Sequence, residues 1–193
     1  MSDPFEAVST LDAVRFAAEY PLAWIVPVAD PAAALLMPVL FEREGNDPGA
    51  MLLGHLPRRA AATGILRGDG RAVFLFLGPN AYIPPAWVSQ QGWAPTWNFL
   101  SLKATAETTV IDDAMTRPAV ETLVEHMEQR DGSGWMVAKI GERYETLLQG
   151  IIGFRSKVSG IHPRFKTGQD ETASVRDEIR RGLEGHPLTR WME

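Results

Sequence analysis

His55, Arg58 and Arg59 stand together in "LLGHLPRR" at the end of an apolar run. An imidazole and two guanidinium groups at a strand end could hold a phosphate, since arginine offers a planar fork to an oxyanion. A hydrogen-bonded structural histidine beside a solvated turn accounts for the same residues. Elsewhere the chemistry is sparse. There is no G-x-S-x-G, no H-E-x-x-H, no P-loop and no dinucleotide G-x-G-x-x-G. The chain has no cysteine, which excludes disulfides and thiolate metal sites, and its four histidines are scattered without ligand spacing.

The second chemical feature is the segment "GPNAYIPPAWVSQQGWAPTWNFLSLKA", from Gly78 to Ala104. Its first part carries Tyr82, Trp87, Trp93 and Trp97 among Pro79, Pro84, Pro85 and Pro95. It is too broken for a helix and too rich in proline for a central strand, so it reads as a rigid aromatic loop. Such a loop suits the closure of a barrel end or a subunit contact.

The elements that must position these residues are short. Residues 10–20 read as a helix capped by Thr10 and stopped by Pro21. Strand-length apolar runs follow at Leu22–Val28, Ala34–Phe41, Ala50–Leu56 and Ala72–Leu77, with a short helix in "PRRAAATGIL". From Trp97 to Ala106 the residues alternate. Trp97, Phe99, Ser101, Lys103 and Thr105 share one face, and Asn98, Leu100, Leu102, Ala104 and Ala106 share the core face. Thr116–Gln129 has helical apolar spacing with Pro118 in its first turn, and a second short helix spans about 142–149. "GIIGFRSKVSGI" is another strand, and residues 171–183 form a charged terminal helix. Many short strands, few helices and no βαβ rhythm predict a mainly β or α+β fold: a barrel with peripheral helices.

At 193 residues, 45% hydrophobic and 22% charged, the chain reads as one domain over 1–193 with a helical tail at about 171–185. No apolar run reaches the length of a membrane-spanning helix, and the start of the chain has no basic-then-apolar leader, so a cytoplasmic protein is expected. A net charge of −5 gives no footprint for DNA, and Glu121, Glu125 and Glu128 on the Thr116–Gln129 helix would repel phosphates.

"GPNAYIPPAW" and then "PTWN" at a strand start resemble the PaiB family, FMN-binding proteins classed as negative transcriptional regulators. The family's stretches run close to G-P-H-A-Y-I-S-P-S-W and P-T-W-N-Y. "LLGHL" with Arg58 is similar to its G-H-(I/L)-A-R, "LLQGIIGFRSKVSGI" to its A-I-V-G-F strand, and "KTGQD" with Arg176 to its K-L-S-Q-N and D-R tail. Asn80 stands where the family has a histidine after Gly-Pro, and Lys103 where its W-N-Y-x-x-V-H strand ends.

The resemblance implies a flavin-binding split β-barrel of the pyridoxamine-phosphate-oxidase-like kind, a homodimer, and FMN as cofactor. It points to His55, Arg58, Tyr82, Trp87, Thr96, Trp97, Asn98, Lys103, Lys166 and Gln169 as binding residues. On this reading the phosphate sits among His55, Arg58 and Lys103, and the dimer contact includes the Pro84–Trp97 loop. Trp97 lines the pocket or the dimer contact, while Asn98 turns inward and bonds the backbone of the preceding loop. A flavin reductase or oxidase, or a dimer without cofactor, are the alternatives.

Overall fold

Alternation and burial place each strand's apolar side within one barrel. The computed structural model describes residues 3–44 and 47–192, so the ends of the expected 1–193 span lie outside the described residues. In chain order the elements are α1 (Thr10–Glu19), β1 (Leu22–Pro27), β2 (Leu35–Glu44), β3 (Asp47–Pro57), α2 (Ala61–Gly68) and β4 (Arg71–Ile83). They continue with β5 (Thr96–Asp112), α3 (Thr116–Asp131), α4 (Arg143–Leu148), β6 (Ile151–Lys166) and α5 (Ala173–Gly182). The strands close in the order β1-β2-β3-β6-β5-β4, every neighbour antiparallel. Closure leaves the central strands without the exposed edges that invite aggregation.

The core is filled from alternate positions. Leu100, Leu102, Ala104 and Ala106 of β5 meet Phe74 and Phe76 of β4, Leu52 and Leu56 of β3, and Phe154 of β6, all buried. One end of the barrel is plugged by α1 and the C-terminal turn: Phe16, Phe165 and Trp191 meet edge to face with centroids 5.1 to 6.0 Å apart. This packing fixes Gly78, since a Cβ there would stand 2.3 Å from the Phe16 ring. At the other end α3 rests on β6, where a Cβ on Gly153 would stand 2.3 Å from the Met115 carbonyl oxygen. Thr116 Oγ1 accepts the Gly153 N–H at 3.0 Å there.

Two sequence expectations need correction. Ser9, not Thr10, caps α1, its hydroxyl accepting the Asp12 N–H at 3.1 Å. "GPNAYI" is not loop but the second half of β4, which pairs with β5 as far as Ile83↔Thr96. The register shifts between Leu77 and Asn80, and this bulge accommodates Pro79, which has no N–H to give a ladder. The true loop runs from Pro84 to Pro95 and packs on α5 of its own chain. Glu178 accepts from the Ser89 N–H at 2.8 Å and hydroxyl at 2.6 Å, Trp93 Nε1 donates to Glu171 at 3.0 Å, and the Trp87 ring lies against Gly182.

Candidate functional site

The outer face of the barrel carries what the sequence could not assemble. Pairing aligns Leu36 with Trp24, Trp24 with Leu75, Leu75 with Lys103 and Lys103 with His162, one row across β2, β1, β4, β5 and β6. The next row sets Leu77 beside Ser101 and Ser101 beside Arg164. The β1 and β4 side is apolar and open, with Trp24 49% and Leu77 61% exposed beside exposed Leu22, Leu36 and Leu75. The β5 and β6 side is cationic, with Lys103, His162, Arg164 and Lys166. A groove of ≈ 240 Å³ lies at the junction, lined by residues including Leu75, Ser101, Lys103, His162 and Arg164.

The cations differ in their engagement. Lys103 has no ion pair among the described residues. Lys166 Nζ donates to Thr96 Oγ1 at 2.5 Å. Arg164 pairs with Asp3 and lies 3.5 Å from Glu6. The Arg164 hydrogen bond, with help from the Phe5 N–H, holds the Asp3 carboxyl below the usual carboxylate range.

The residues proposed from sequence fall into separate groups. Tyr82 and Trp97 are opposite each other on β4 and β5, with ring centroids 5.9 Å apart, and Trp97 is 54% exposed. They stand on the outer face with Lys103 and Lys166, while Thr96, at the start of β5, alternates to the other face beside Ile83 and accepts from Lys166 through its hydroxyl. Asn98 is 1% exposed and turned inward as expected, but its Nδ2 has no partner among the described residues, so the anticipated bond to the loop backbone is not made. Gln169 closes its own turn, accepting from the Thr167 N–H at 2.7 Å and donating to the Phe165 carbonyl at 2.5 Å. Trp87 faces α5.

His55 and Arg58 are not with Lys103. Arg58 lies at the opposite barrel end, donating to the carbonyls of Gln149 at 3.1 Å and Ile151 at 2.8 Å and to Asp113 at 2.5 Å. His55 pairs with Gly153, opposite Asp112, and about 30 Å of β5 separates Asp112 from Lys103. No single phosphate reaches all three. Arg58 gathers carbonyls left over where β6 begins, so Arg58→Ala is expected to lower stability by about 1–3 kcal/mol and leave ligand affinity unchanged. Denaturant midpoints and ligand titration of the variant check both halves.

Burial lowers the pKa of His55, and its Nδ1 has no partner among the described residues. A base that resists protonation only when folded makes the unfolded chain bind more protons. Stability is then full above the ordinary histidine value near 6.5 and falls as pH drops from there toward the depressed folded value. The wild-type melting temperature should decline over that window, and His55→Gln should flatten the decline. Parallel pH series of melting curves measure this.

Besides a cleft of ≈ 260 Å³ where Arg58 and Arg117 meet Asp113 and Glu145, two much larger clefts lie elsewhere. One of ≈ 810 Å³ beside α5 mixes Arg180, Arg181 and Arg190 with Asp177 and Glu184 and has no aromatic wall. The other, ≈ 650 Å³ between α3 and Trp135 to Val137, is apolar but ringed by Glu121, Glu125 and Glu128. Among these clefts, only the outer-face groove joins an exposed apolar surface to Lys103, a cation with no ion pair among the described residues.

Comparison with known proteins gives the family and the fold. A family described as "Putative FMN-binding domain" matches residues 1–160. A Bacillus subtilis (strain 168) protein, "Protease synthase and sporulation protein PAI 2", is 27% identical over 97 residues, covering 50% of this chain and 46% of that protein. The match thus spans less than half of that relative. The fold is similar to that of an FAD and heme binding protein from Mycobacterium smegmatis, with TM-score 0.60 and 15% identity over 91% of this chain and 79% of the other. It is also similar to a flavocytochrome from Azotobacter vinelandii, with TM-score 0.51 and 14% identity over 86% and 75%. These solved structures place the chain among split barrels.

Proposed function

The chain belongs to the FMN-binding domain family, and from that premise we propose that it holds FMN on the outer face of β4, β5 and β6. The phosphate lies on Ser101, Lys103, His162 and Arg164, and the ring lies toward Leu75 and Trp24. The observation that carries this reading is the single row in which Trp24 and Leu75 run directly into Lys103 and His162. The donor set fits the cofactor. A phosphate dianion asks for cations and a hydroxyl, and a flavin ring asks for apolar walls. Bound flavin supplies reversible transfer of one or two electrons. The chain's own residues bind and orient it: Lys103 neutralises charge, Ser101 offers a hydroxyl, and Trp24 and Leu75 keep water from one side.

The groove alone is too small. Its ≈ 240 Å³ falls below the roughly 300–1,000 Å³ usual for small-molecule sites, so the ring needs a second wall. The exposed side chains of Leu22, Trp24, Leu36, Leu75 and Leu77 form the kind of contiguous apolar patch that marks an interface. A second copy closing over this face completes the site. The dimer contact is thus assigned to the outer face of β1, β2 and β4, and not to the Pro84–Pro95 loop, whose Trp87 is engaged by α5 and whose Trp93 is engaged by Glu171 just before it.

A regulatory role of the PaiB kind would act without a basic recognition helix, because α3 carries Glu121, Glu125 and Glu128. No helix among the described residues is long and apolar enough to cross a membrane. Titration of purified protein with FMN, followed by the visible spectrum, tests the flavin reading. Saturable binding with a perturbed flavin band is expected, and an unperturbed spectrum at millimolar protein would reject it.

A further inference from the structure

The groove already contains an anion of its own. Asp3 pairs with Arg164, Glu6 stands 3.5 Å from the same guanidinium, and Glu6 lines the groove itself. Between them the Phe5 ring lies under both cations, 5.1 Å from Arg164 and 5.7 Å from Lys166. The Phe5 carbonyl accepts the N–H of Phe165 at 2.9 Å, on a part of β6 beyond its pairing with β3. This short segment is therefore tied to β6 by backbone, aromatic and ionic contacts at once.

We propose that residues 3–6 form an acidic strap whose Asp3 and Glu6 carboxylates occupy the anion-binding groove and must yield before a phosphate group can enter. The proposal rests on the flavin reading above and adds a control to the same site. One guanidinium cannot hold two carboxylates and a phosphate dianion on one open face, since like charges a few ångströms apart repel. The strap's ion pairs are solvent-facing and individually weak, so a dianion that also reaches Lys103 and His162 displaces them. The Phe5 carbonyl bond and ring contacts stay available as the hinge. The strap thereby opposes only ligands with a strongly charged end: a compound without phosphate makes no claim on the Arg164 guanidinium and leaves the ion pairs in place.

The test compares the wild-type chain with the Asp3→Asn/Glu6→Gln double variant, each titrated with FMN and with riboflavin. FMN affinity should rise roughly fivefold in the double variant, in line with the loss of weak exposed pairs, while riboflavin affinity stays unchanged. Equal FMN affinity in the two proteins overturns the strap and leaves the flavin site standing. Equal tightening of both ligands also overturns it, because the effect would not depend on the phosphate. Should FMN bind neither protein, the flavin reading falls and inorganic pyrophosphate decides the strap, followed by the His162 ring resonances. Saturation at lower concentration in the double variant supports it, and saturation at the same concentration overturns it.

Discussion

Lys103→Ala is expected to weaken FMN binding by about 1.5–3 kcal/mol, the range for hydrogen bonds to charged groups. That is roughly tenfold to a hundredfold in Kd. Lys103 gives the clearest reading of the groove's cations because it has no ion pair among the described residues and lies exposed on β5. Removing it leaves no orphaned carboxylate and no cavity, so the barrel should melt as before. Arg164→Ala should cost less, since the wild-type guanidinium must first give up Asp3. Riboflavin, without a phosphate, should bind both variants like the wild type. Isothermal titration with the two ligands separates a charge effect from general damage, and an equal loss for both would argue that Lys103 supports the fold instead of the phosphate.

Trp24→Asp should convert the proposed dimer to a monomer and remove flavin binding with it. Trp24 is at the centre of the row from Leu36 to His162, half exposed and flanked on both sides by leucine. A central aromatic of this kind typically contributes 2 kcal/mol or more to association, and a carboxylate buried without a partner costs further. The dissociation constant should rise by more than about thirtyfold. Met127→Asp is the control, an exposed apolar residue on α3 away from the face. It should change neither mass nor affinity. Light scattering and FMN titration at matched concentrations report both quantities, and a dimeric Trp24→Asp protein would move the interface elsewhere.

How far the sequence reaches is visible in β5. Strict alternation from Trp97 to Ala106 identified the buried and open faces residue by residue, because period two is a local property. The same logic failed in β4 at Pro79, where a bulge absorbs a residue that cannot join a ladder, and nothing local distinguishes a bulge from a loop. Motif likeness led to Tyr82, Trp97, Lys103 and Lys166, which share the outer face, and to Thr96, which bonds Lys166 from the start of β5. It also led to Arg58, whose conspicuous charge serves backbone carbonyls at the far end of the barrel. The row itself was out of reach. Leu36, Trp24, Leu75, Lys103 and His162 become neighbours only through four strand pairings, and His162 and Arg164 had no signal beyond their alternation along β6. Exposed Trp24, Leu75 and Leu77 were read as members of apolar runs, since a strand of a closed barrel can carry apolar residues on both faces when one of them awaits a partner.

A crystal structure of the protein with FMN bound tests the central claim most directly. The account predicts the phosphate within hydrogen-bond distance of Lys103 and Arg164, the ring against Leu75 and Trp24, and a second copy closing the site. A phosphate held by Arg58 near Asp113, or a flavin in the cleft beside α5 or α3, would contradict it.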